Sequence, residues 1–217
     1  MNDVLAIYER LAGYYDTTDW WPAKTPYEVI VGAILTQNTN WQNVEKALSN
    51  FAVITPEFVA AAELPELEEI IRPSGFYRQK AVYLKAITEW FAGYGYDVEA
   101  VQKRPLAALR AELLAVRGVG QETADSILLY AFRMPTFVVD AYTKRLCERY
   151  PLAAGGSYAK VKAFFEGSLP REVEVYDKFH ALIVLHAKRH CLKKASCEGC
   201  PLLEVCKFPA DTDKNSK

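Results

Sequence analysis

No apolar run in this 217-residue chain approaches the roughly 18 residues that a membrane-spanning helix needs; the longest, Val29 to Leu35, is interrupted by Gly32. The amino terminus lacks the basic start and apolar block of a secretory leader and reads instead as an acidic amphipathic segment, so a cytoplasmic setting is expected. A surplus of either charge is missing as well: 26 Lys and Arg stand against 27 Asp and Glu, a formal net charge of −1. That excludes a global pull on nucleic acid, so any such binding must come from local patches and backbone donors. Strand-like alternation is also missing. With 51% hydrophobic and 24% charged residues the chain is neither disordered nor fibrous. The expectation is an all-α fold of roughly ten helices, with enough chain to bury a real core.

The helical spacing is legible in order. Leu5, Tyr8, Leu11 and Tyr15 mark an amino-terminal helix, followed by Trp20-Trp21-Pro22 in a loop. Two adjacent tryptophans cannot share one helical face, so one is expected in the core and the other is free to line a pocket. Thr25-Pro26 opens a nearly all-apolar helix over 27–35, whose lack of a polar face marks it as buried. The polar cluster Thr36-Gln37-Asn38-Thr39-Asn40 ends it, and Asn40 is placed to cap the next helix, from Trp41. Gly75-Phe76-Tyr77 presents an aromatic residue at a turn. Further helices are expected over 79–93, 106–116, 141–150, 158–166 and 172–190.

Gly118-Val119-Gly120 cuts a helical pattern that restarts at once with Gln121-Glu122-Thr123. Glycines there open backbone angles closed to other residues, and the restarted helix begins with amide donors and the positive end of its dipole, which suits a phosphate. Asp140 follows that stretch and is well suited to cap a helix from Ala141. Four of the five cysteines, Cys191, Cys197, Cys200 and Cys206, fall in one short polar run. Such a run needs a cross-link to be ordered, and thiolates that close in sequence can surround one metal centre. With a single C-x2-C pair, a [4Fe-4S] cluster is expected over zinc.

The hairpin glycines with their flanking helices, Asp140 downstream and the carboxy-terminal cysteines together resemble the helix-hairpin-helix DNA glycosylases of the endonuclease III superfamily, from about Pro26 to Cys206. The cysteine run has one residue fewer between Cys191 and Cys197 than that family commonly has. The resemblance implies two helical domains with a DNA cleft between them. One is a barrel with the hairpin over 23–133; the other joins 1–22 to 134–217 and carries the iron-sulfur loop. It implies that Gly118, Val119 and Gly120 hold a phosphate of double-stranded DNA and that Gln37 and Phe76 fill the gap left by an expelled nucleotide. It makes Asp140 the catalytic carboxylate. Family members that also cut the backbone carry a lysine where this chain has Glu122, so a monofunctional enzyme without lyase activity is expected.

Trp20-Trp21-Pro22, the stretch Leu35 to Thr39 and the residues after the hairpin are most similar to the 3-methyladenine branch of that superfamily. That similarity implies a base pocket formed by Trp20, Trp21, Pro22, Trp41 and Lys188, with Lys188 paired to Glu122, and an alkylated purine as the base removed. The alternatives are a mismatched or oxidised base, or a non-catalytic iron-sulfur protein that recognises distorted duplex. A monomer, associated with the nucleoid through its DNA, is expected.

Overall fold

The computed structural model describes residues 3–18, 20–150, 152 and 154–208. Among them the chain is all helical, and no strand is formed. In chain order the helices are α1 (Asp3–Ala12), α2 (Pro26–Leu35), α3 (Trp41–Ser49), α4 (Pro56–Ala61), α5 (Leu64–Ile70) and α6 (Tyr77–Ala92). Then come α7 (Val98–Gln102), α8 (Leu106–Ala115), α9 (Gln121–Ser126), α10 (Ala141–Arg149), α11 (Tyr158–Ser168) and α12 (Val173–Arg189). No helix among the described residues is long and apolar enough to cross a membrane.

The chain forms two compact units, Pro22–Met134 and the joined ends Met1–Trp21 with Pro135–Lys217. In the middle unit α2 is the buried core helix: Tyr27 and every residue from Val29 to Leu35 are shielded from water. Thr25 caps its start by accepting the Glu28 N–H, Pro26 occupies the first turn, and the Thr36 hydroxyl donates back to the Gly32 carbonyl where it ends. Against α2 lie α6 and the turn Ile127–Ala131, a single π-type turn that follows α9. α6 contributes Leu84, Ile87 and Phe91 to this core. Arg110 on α8 grips the fully buried Asp125 on α9 through Nε and Nη2, at 2.9 and 3.0 Å, and so closes the two arms of the hairpin.

In the terminal unit α12 is the central helix, packed by α1 and α10. Phe137 and Phe165 stack with ring centroids 4.5 Å apart, and Phe179 and Tyr176 meet Phe137 edge-on. Burying Phe137 contributes up to about 3 kcal/mol and anchors the extended chain that leads to Asp140.

The expected four-cysteine metal loop, and with it the [4Fe-4S] cofactor, is corrected by this structure. Among the described residues no group of three or more His, Cys, Asp or Glu side chains is arranged to hold a metal ion. The order that a cluster was expected to supply has other sources. Arg149 donates from Nη1 to the Cys191 sulfur at 3.2 Å and from Nη2 to the Lys193 carbonyl at 3.0 Å, while Leu202 is fully buried. The Cys206 thiol is directed to the carbonyls of Arg149 and Phe208. Burial, followed by the neighbouring Cys197, Cys206 and Cys191, pushes the Cys200 thiol up. The iron-sulfur binding-protein alternative falls with the loop.

Candidate active site and hairpin

In the terminal unit, residues 135–140 run extended into α10, held by side chains of α11. Phe137 donates its N–H to Glu166 at 2.9 Å, and Val139 donates to the Tyr158 hydroxyl at 3.4 Å. Asp140 ends the strap as the cap of α10, its Oδ1 accepting the Thr143 N–H at 2.7 Å and the Thr143 hydroxyl at 2.9 Å. Its other oxygen, Oδ2, lies 3.5 Å from Nε2 of His180 on α12. Burial by itself raises the Asp140 carboxyl; His180 and Thr143 outweigh it, and the group is held below the usual carboxylate range. A buried carboxylate kept ionised is suited to stabilising positive charge that develops nearby.

Trp20 and Trp21 belong to the same unit. Trp20 meets His180 edge-on at 5.6 Å and Trp21 edge-on at 5.8 Å, so an aromatic surface adjoins the partner of the carboxylate. His180 was not singled out by sequence. It lies 40 positions from Asp140 on the buried face of α12, and no local spacing joins the two.

In the middle unit the hairpin turns at Gly118, which has φ +86°; a Cβ there would come within 2.1 Å of the Tyr83 ring. Glycine is required on both counts. Val119 is buried and donates its N–H to the Val116 carbonyl at 3.1 Å, which narrows the expected phosphate donors to Gly120 and the turn after it. Gly120 caps α9, and Glu122 is exposed in that helix's first turn. Gln37 donates from Nε2 to the Gly118 carbonyl at 2.9 Å and to the Thr123 hydroxyl at 3.0 Å. Phe76 is 64% exposed with φ +49°, an aromatic side chain held in water on left-handed backbone.

A sequence model for the HhH-GPD superfamily of base excision DNA repair proteins matches residues 31–171, more than half of the chain. The chain belongs to that superfamily. Over 209 residues it is 47% identical to MJ1434, a DNA repair glycosylase candidate of Methanocaldococcus jannaschii, covering 94% of this chain and 95% of that one. It is 27% identical to the endonuclease III of Sulfolobus acidocaldarius, over 87% of this chain and 85% of that one. Among solved structures it is similar to the 3-methyladenine DNA glycosylase of H. pylori bound to 1,N6-ethenoadenine, with 27% identity and a TM-score of 0.75, covering 86% of this chain and 97% of that one.

The remaining expected residues of this HhH-GPD protein are placed as follows. Trp41 opens α3, capped by Asn40, and donates its indole N–H to Glu45 at 2.9 Å, which fixes the ring along the helix. Lys188 is exposed in the last turn of α12, and Pro22 begins the middle unit. Thus Asp140 and Trp20 meet His180, with Trp21 against Trp20, in one unit, and Gln37, Phe76 and the hairpin come together in the other.

Proposed function

We propose that this DNA glycosylase acts on double-stranded DNA as a monofunctional enzyme, hydrolysing the bond between a mismatched or oxidised base and its sugar and leaving an abasic site. The observation that carries the reading is Asp140 held ionised between Thr143 and His180. As the base departs, positive charge grows on the sugar, and a fixed carboxylate stabilises that state more than the ground state. Neutral bases leave poorly and need this help most. Glu122 supplies no amine at the position where lyase members of the superfamily carry their nucleophilic lysine, so the sugar is attacked by water rather than by the protein. Phe76 fills the space of the expelled nucleotide, and Gly120 holds a backbone phosphate.

A second reading keeps the reaction and changes the base to an alkylated purine, as in the 3-methyladenine branch. The tryptophan pair beside His180 favours it, because a cationic purine stacks well on aromatic faces. Identity does not choose between them, since the endonuclease III and 3-methyladenine relatives stand equal at 27%. Release of free base from duplexes carrying a G·T or G·U mismatch, 8-oxoguanine, or methylated purines separates the two. Release of only 3-methyladenine or 7-methylguanine supports the second reading, and no release from any of them overturns both.

A further inference from the structure

Lys80 and Gln37 join, through short hydrogen bonds, two elements that the proposed function uses separately. Lys80 is only 2% exposed, and its Nζ donates to the Leu35 carbonyl at the end of α2 and to the Ser74 carbonyl in the turn before Phe76, both at 2.8 Å. Burying an ammonium group is costly without such partners, and burial brings Lys80 down to about 8. Two residues beyond Leu35, Gln37 donates to Gly118 and Thr123 across the hairpin. Two sets of hydrogen bonds, Ser74–Lys80–Leu35 and Gln37–Gly118/Thr123, are thus joined by the short backbone stretch from Leu35 to Gln37. The Tyr83 ring occupies the space over Gly118.

These bonds border a cavity of about 200 Å³, lined in part by Phe76, Lys80, Tyr83, Gln37 and Gly118. Two non-glycine residues that line it, Asn38 and Phe76, have positive φ, +53° and +49°. Backbone of that kind persists only where its surroundings over-determine it. Lys80 supplies that constraint on the Phe76 side, and Gln37 supplies it next to Asn38. Both hydrogens of the Gln37 amide go to the hairpin, so this side chain acts as a link to it.

We propose that Lys80 and Gln37 form a brace that locks the Phe76 turn to the Gly118–Gly120 hairpin, making both of them positioning residues for damage-dependent DNA binding. The proposal rests on the reading of Phe76 as gap-filling and of the hairpin as phosphate-binding. Its consequence is that grip on the backbone and entry of Phe76 into the duplex form together.

The test uses the full chain and two duplexes, one intact and one carrying a tetrahydrofuran abasic analogue beside 2-aminopurine, so that no base specificity enters. Binding to each is measured by anisotropy, nucleotide displacement by 2-aminopurine fluorescence, and folding by thermal unfolding. Lys80→Met and Gln37→Leu are each expected to lower the preference for the abasic duplex on the order of tenfold, as contacting residues coupled through one network do. Binding to intact duplex is measured alongside, and the preference is taken as the ratio of the two affinities. Combining either change with Phe76→Ala should lose no more than Phe76→Ala alone. Preference equal to that of the unaltered protein in Gln37→Leu overturns the brace, as does full additivity with Phe76→Ala. If Lys80→Met does not fold, Gln37→Leu decides alone. An unaltered protein with no preference for the abasic duplex overturns the reading of Phe76 and the brace together.

Discussion

Nε2 of His180 stands 3.5 Å from Oδ2 of Asp140, with both side chains buried and Trp20 packed edge-on against the imidazole. The two carboxylate oxygens therefore have different tasks. Oδ1 takes the N–H and hydroxyl of Thr143 and fixes the start of α10, while Oδ2 faces a group that can donate to it. The cap bonds engage only one oxygen and leave Oδ2 for the charge-stabilising role proposed for Asp140.

The first prediction follows from that division. Asp140 lies below the usual carboxylate range, so its ionised form persists above its folded pKa and is lost as pH falls through it. Replacing His180 with Phe keeps a ring against Trp20 and removes the donor, so the Asp140 pKa rises and the acid limb of the kcat profile moves to higher pH. Asp140→Asn should lower base release by roughly 10²-fold or more, the scale of losing one electrostatic stabiliser. An acid limb unmoved in His180→Phe would show that His180 only packs.

A second pH effect acts on stability and in a different window. His186 is buried, beside the Tyr15 hydroxyl at 3.2 Å and the Tyr150 hydroxyl at 3.5 Å, and burial, then His190, Arg145 and Arg149, brings it down to about 4. The unfolded chain takes up this proton near pH 6.5 and the folded chain resists until about 4, so the contribution is whole above 6.5 and declines as pH falls between the two values. Between pH 7 and 5 the loss is on the order of 2 kcal/mol. Urea unfolding at both values should show it, with a smaller difference in His186→Gln.

Sequence reading reached the elements whose signal is local. Thr25-Pro26 and Asn40 cap the helices they were expected to cap, and the apolar run of α2 is buried as its lack of a polar face required. Phe76 lies at the turn foreseen for it. What sequence did not reveal depends on contacts between distant residues: His180 beside Asp140, Lys80 under the Phe76 turn, Glu166 and Tyr158 along the strap. The cysteine run shows the opposite error. Spacing suggested a metal to order the loop, whereas a single arginine, Arg149, on another helix ties Cys191 and Lys193 together.

A third prediction concerns Gly118. Alanine there meets both a positive φ and the Tyr83 ring at 2.1 Å, so the ring must move. Left-handed backbone on a residue with a Cβ costs about 1 kcal/mol or more, and the overlap adds a further 1–3. Gly118→Ala should lower the unfolding midpoint and weaken binding to intact duplex. Gly120→Ala has open space around its Cβ and ordinary φ, so it serves as the control for the unfolding midpoint.

Glu122 yields a fourth prediction, on reaction outcome. A carboxylate forms no Schiff base with the aldehyde of an abasic site, so borohydride should trap no covalent protein–DNA adduct, and product strands should stay intact until treated with alkali. An adduct formed by the unaltered protein would assign the nucleophile to another amine and end the monofunctional reading.

The last prediction tests what holds the hairpin's two arms. Arg110 reaches Asp125 with two parallel bonds, and Asp125 is fully buried while Arg110 is about one-quarter exposed. Removing the arginine takes this bidentate partner from a buried carboxylate, which costs more than the pair itself contributes. Arg110→Ala should therefore destabilise the protein by roughly 3 kcal/mol, and Arg110→Lys, which cannot reproduce the planar fork, should recover only part of it. Because α8 and α9 flank Gly118 to Gly120, the loss should also reach the hairpin: affinity for intact duplex falls with stability in Arg110→Ala. If the double change Arg110→Met with Asp125→Leu restores stability but not affinity, the ion pair sets hairpin geometry as well as holding the fold. Recovery of both assigns it to stability alone.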